Sequence, residues 1–126
     1  MSSSTQDETE RVKSLVEAQC RAATYIPLRE VLAPFLVSPS VKMVSDWGST
    51  SKGVLCWVVA DLSPEKEGMH LVYSEGGFGS RGDPWGILMK NDQWVGRDDQ
   101  WFTCLEDAAI SAGIWHGALP PEYEIR

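Results

Sequence analysis

The stretch Val54-Leu-Cys-Trp-Val-Val-Ala60 is the longest unbroken apolar run in the chain, rich in β-branched and aromatic residues. A run that is apolar on both phases of a two-residue period reads as a strand buried on both faces, at the centre of a sheet. It is far too short to cross a bilayer. Upstream, Val41, Met43, Ser45 and Trp47 alternate with Lys42, Val44, Asp46 and Gly48, the pattern of a half-buried strand, and Gly48 to Gly53 reads as a small polar turn. Downstream, Ser63 to Gly68 is a charged turn containing Pro64, and Met69, Leu71 and Tyr73 then alternate with His70, Val72 and Ser74. Trp85 to Met89 reads as a further strand, and Trp94-Val95 as a short last one. The links between these runs are short, which favours antiparallel hairpins over crossovers. A sheet of about four strands results.

Helical periodicity flanks this sheet. Val12, Leu15, Val16, Cys20 and Ala23 recur at three- and four-residue spacing, which predicts a helix from about residue 6 to 23. Thr5 and Glu8 form a capping-box pattern at its start, after a frayed tail over residues 1–5. Pro27 suits the first turn of a second, short helix carrying Leu28, Val31, Leu32 and Phe35, which Pro34 kinks or stops. Near the end, Thr103-Cys-Leu-Glu106 is another capping-box candidate, Leu105, Ala108, Ala109 and Ala112 face one way, and Gly113 can end the helix. Residues 114–126, with Pro120-Pro121, read as an irregular tail. The order predicts a single α+β domain over residues 1–126, with helices on one face of the sheet.

Composition narrows the function classes. Hydrophobic residues make up 43% and charged residues 23%, values of a globular rather than a disordered chain. The polar, acidic amino terminus is not a signal peptide. Three widely spaced cysteines do not make a disulfide framework, which fits a reducing cytoplasm. A net charge of −7 argues against nucleic acid or an anionic membrane as a direct partner. The charge is also uneven. In residues 1–60 six acids balance six bases; in residues 61–126 twelve acids oppose five bases, so the second half holds the whole excess. Two readings stand: solubility, or attraction to a cationic macromolecule.

Catalytic constellations are thin. The histidines are His70, on a strand, and His116, in the tail beside Trp115. No spacing matches a zinc, EF-hand or metalloprotease site, and no cofactor motif is present. Cys104 falls in the first turn of the last helix, a setting used by reactive thiols, but its twelve-residue separation from His116 makes a pair improbable. The segment Glu75-Gly-Gly-Phe-Gly-Ser-Arg-Gly-Asp-Pro-Trp-Gly86 holds five glycines in twelve residues. A strand rather than a helix follows it, so it reads as a flexible or sharply turned strand connection rather than a phosphate cradle. It also sets Phe78 and Trp85 among glycines, the make-up of an aromatic anchor in a polar rim. Trp57 reads as core, and Trp47, Trp94 and Trp115 as packing. Trp101, after Arg97-Asp98-Asp99-Gln100, stands between a solvated turn and a contact that could meet Arg or Lys.

Val59-Ala-Asp-Leu62, Tyr73-Ser-Glu-Gly-Gly-Phe-Gly79, Pro84-Trp-Gly86 and Gly96-Arg-Asp-Asp-Gln-Trp-Phe102, followed by Leu105-Glu-Asp107, form a set spread over about residues 54–115. The set resembles the immunity proteins of bacterial polymorphic toxin systems, small cytosolic inhibitors encoded beside their toxins. These are turn and packing motifs, so no family residue is carried over. The resemblance implies a non-catalytic protein that covers a toxin's active site. The expected docking residues are Glu75, Phe78, Asp83, Trp85, Asp92, Asp98, Asp99 and Trp101, with acids steering encounter and aromatics slowing dissociation. Two other classes remain: a small carboxylate- or cysteine-dependent enzyme, and an acidic adaptor or chaperone for a secreted effector. A homo-oligomer fits the tryptophan content as well.

Overall fold

A computed structural model of the chain describes residues 3–45, 53–63, 67–78, 82–89 and 100–114. The element order is α1 (Ser3–Ala22), α2 (Leu28–Leu32), β1 (Leu36–Ser45), β2 (Gly53–Asp61), β3 (Met69–Phe78), β4 (Asp83–Met89), β5 (Trp101–Phe102) and α3 (Leu105–Ala112). The strands form one antiparallel sheet in the order β1-β2-β3-β4-β5, so the fold is α+β as expected. Some boundaries move. Ser3 to Thr5, expected as frayed tail, are helical, so Thr5 lies inside α1 rather than at its cap. Ile114, expected to begin an irregular tail, is fully buried. The strand expected at Trp94-Val95 lies outside the described residues, and the fifth strand found is Trp101–Phe102.

Register explains how the sheet holds its helices. Trp57 on β2 pairs with Tyr73 on β3, Tyr73 with Trp85 on β4, and Trp85 with Phe102 on β5. Cross-strand partners share a face, so four aromatics form one row beneath the helices. All four are buried, with the Tyr73 and Trp85 rings 4.8 Å apart and tilted by 48°. Such tilted pairs contribute about 0.5–1.5 kcal/mol beyond their burial. Val12 and Val16 of α1, Leu28 and Leu32 of α2, and Leu105, Ala108 and Ala109 of α3 close over this face. Between Val58 and Ala60 the β2–β3 register slips by one, as at a β-bulge, and Val59 and Ala60 both join this core.

The other face is closed too. Cys56, Val58, Val72, Leu88 and Trp101 form a second buried cluster there. Val72 pairs with Gly86, and Gly86 with Trp101. A Cβ built on Gly86 would come within 2.7–2.8 Å of the Trp101 indole, so only glycine lets the ring lie flat on β4. Lys42 pairs with Cys56 and so faces this side, where its ammonium donates to the Met89 carbonyl on β4 at 2.8 Å. In a flat sheet β1 and β4 would stand roughly 14 Å apart, beyond the reach of a lysine. The sheet therefore coils toward this face.

Long-range polar contacts then lock the helices. The expected capping box at α3 is not formed: its cap residue is Cys104, with no side-chain cap bond. The Leu105 amide instead donates to Gln19 Oε1 of α1 at 2.9 Å. Glu106, only 1% exposed, accepts from the backbone amides of Thr24, Tyr25 and Ile26 at 3.2, 2.6 and 2.9 Å. The carboxylate thus holds the α1–α2 turn from 80 to 82 positions away in sequence. Gly113, at φ 76°, ends α3 in the left-handed conformation that glycine adopts without strain.

Candidate functional site

The expected docking residues scatter. Trp85 and Trp101 are 3% and 1% exposed, on opposite faces of the sheet, and neither ring is available to a partner. For Trp101 both readings made from the sequence give way, because the residue is neither a solvated turn nor a surface contact but the lid of the second core. Asp83 is buried as well, and it accepts from the Thr103 hydroxyl at 3.3 Å, tying the start of β4 to the residue after β5. Phe78 ends β3, and its backbone pairs with Asp83. Asp92, Asp98 and Asp99 lie outside the described residues. Glu75 is exposed and forms a 2.6 Å ion pair with Arg11, so it fastens β3 to α1 across the surface.

The glycine-rich segment is partly sheet. β3 continues through Gly76 and Gly77 to Phe78, and β4 begins at Asp83. The register of the pair slips by three residues between Tyr73 and Phe78. Glycines let the chain absorb that slip, so they serve strand geometry. Among the described acids of the second half, Asp83, Glu106 and Asp107 are buried and so removed from any docking surface.

The thiols divide by environment. Cys56 is fully buried on the second face, and burial pushes its thiol up to about 11 against the opposing pull of Lys42. Burial also raises Cys20, reinforced by Glu17 and opposed by Arg29 and Arg21. Cys104 is half-buried at the start of α3, and His116, its conceivable partner, lies outside the described residues. Among the described residues, no group of three or more histidine, cysteine or acidic side chains is placed to hold a metal ion. His70 sits on the coiled face, 3.7 Å from Asp61. No described helix is long and apolar enough to cross a membrane.

Two surface features were not found by reading the sequence. The first is a groove of about 690 Å³ between α1 and the first half of β1, floored by Val16 and Val59. Glu10, Lys13, Glu17 and Arg21 line its helical wall, and Leu36 to Pro39 its strand wall. Lys13 pairs with Glu10 at 3.6 Å, and Arg29 reaches in from α2 to Glu17. The second is an apolar stripe on the other half of β1–β2. Val41, Met43 and Leu55 are 51%, 59% and 45% exposed. Met43 pairs directly with Leu55, and Val41 with Trp57, so the stripe shares the helix-facing side of the sheet but extends beyond the helices' cover. Alternation alone could signal this face as apolar, but not as uncovered. Comparison of the chain with protein-family models, with curated proteins and with solved structures found no match.

Proposed function

We propose that this chain is a binding protein, an immunity-type inhibitor that meets a cationic toxin domain in the bacterial cytoplasm. The observation that carries this reading is the location of the whole acidic excess in residues 61–126. Burial of Asp83, Glu106 and Asp107 narrows the docking charge to the remaining acids of that half, with Asp92, Asp98 and Asp99 foremost. Trp85 and Trp101, both buried, drop out of the contact set. These carboxylates would compete with phosphate for the basic cleft of a nucleic-acid-cleaving toxin and raise its encounter rate. The inhibitor part of the reading rests on the resemblance within residues 54–115.

The test is co-expression with the product of the neighbouring gene. A stoichiometric complex and relief of growth arrest are expected. Neutralising Asp98 and Asp99 together should slow association and flatten its salt dependence, with the dissociation rate little changed. A toxic neighbour that the chain neither binds nor restrains overturns the reading.

A further inference from the structure

We propose that β1 pairs edge to edge with β1 of a second copy of this chain, joining two five-stranded sheets across a two-fold axis. β1 is the outer strand of the sheet, with no strand on its far side among the described residues. Proteins usually guard such an edge with a lysine or a proline. Here Pro39 belongs to the half beside the α1 groove. Beyond it, the charge on Ser40–Met43 is Lys42, and that ammonium turns to the coiled face to bond the Met89 carbonyl. Beyond Pro39 the edge thus presents Val41 and Met43, backed by Leu55, as exposed apolar residues, while Val37 is exposed on the groove half.

Charge selects the occupant. A cationic partner is drawn to the acidic second half, whereas residues 1–60 carry equal numbers of acids and bases. Two copies, each at −7, repel less when they meet through residues 1–60, whose charges cancel, than through residues 61–126. An antiparallel strand pair about a two-fold axis is self-complementary. A register that sets Met43 opposite Met43 of the second copy keeps both apolar rows on one face. It also sets Lys42 at the position of Val44, avoiding a direct pairing of like charges. One strand pair lies at the small end of interfaces, below about 1,200 Å², so the association is weak and depends on concentration.

The experiment is sedimentation equilibrium of the full chain from micromolar to millimolar concentration, at low and at high salt. Dimer formation should strengthen as salt screens the repulsion between two anionic chains, opposite to the binding of a cationic partner. Met43→Lys should weaken dimerisation by about tenfold or more while leaving the melting temperature of the dilute monomer unchanged, since Met43 is exposed. Met43→Cys should form an interchain disulfide on mild oxidation, because opposed strand positions bring Cα atoms within bridging distance. A chain that stays monomeric to millimolar concentration at high salt overturns the proposal. So does a dimer that Met43→Lys leaves intact. Neither result bears on inhibition of a toxin, which is read in the co-expression assay.

Discussion

Two ends of one sheet carry the same kinds of side chain and put them to different use. Toward β3–β5, Trp57, Tyr73, Trp85 and Phe102 lie in register beneath α1, α2 and α3, and Trp101 seals the opposite face. Toward the free end of β1–β2, Val41, Met43 and Leu55 sit on the same helix-facing side and are about half exposed. The difference lies in coverage. α1 packs on β1 and β2, where its groove with β1 is built on Leu36 to Pro39 and leaves the later positions of the strand beyond its wall. Apolar character on a strand thus marks a surface that wants a cover; which element covers it is decided by helix placement.

The largest effect should come from the sealed end. Trp101→Ala empties a fully enclosed indole site and should cost about 3–5 kcal/mol in denaturant unfolding, the usual range for a buried aromatic. A cost under about 1 kcal/mol would show that the second face collapses easily and is no true core. Next comes Glu106→Gln. The amide keeps one acceptor oxygen but turns an N–H donor toward backbone amides that need an acceptor, so about 2–3 kcal/mol should be lost. Amide hydrogen exchange at Tyr25 and Ile26 should quicken in this variant; unchanged protection there would mean the turn holds without the carboxylate.

Where one period ran long enough, the elements could be read from the chain itself. α1, α2, β2 and the first part of β3 follow their apolar spacing, and Gly113 marks the end of α3. Misses came where the determining contact is distant. β1 begins at Leu36 rather than near Val41, because Ser38, Pro39 and Ser40 interrupt the alternation and the register shifts there. β5 is two residues long, too short for any period to register. Glu106 reads locally as half of a capping box with Thr103, yet its partners are residues 24–26 and those of Thr103 include Asp83. The candidate site was less legible still. Acids and aromatics mixed in sequence look like one interface, but alternation sends Trp85 and Trp101 to opposite faces and folds Asp83 inward.

A smaller effect tests the fit of the second face. Gly86→Ala should cost about 1–3 kcal/mol, because its Cβ meets the rigid ring of Trp101 and not the end of a flexible chain. In the Trp101→Ala background the same substitution should cost far less, giving a coupling energy above about 1 kcal/mol. Additive effects would mean that β4 shifts to accept the methyl group, and the close approach would lose its role in setting the β4–β5 pair.

The smallest expected effect bears most directly on the bare end. Val41→Thr and Val59→Thr make the same chemical change on the same side of the sheet, replacing a methyl group with a hydroxyl of similar size. At Val59, fully buried at the bulge, the hydroxyl has to leave water, which should cost about 1–3 kcal/mol unless it finds an acceptor. At Val41, half exposed, it stays hydrated, and unfolding should change by less than about 0.5 kcal/mol. Measured at low protein concentration, the pair isolates coverage from composition. If Val41→Thr proved as costly as Val59→Thr in the monomer, another part of the same chain would have to lie over Val41. β1 would then be a covered strand, with no face left for a second copy.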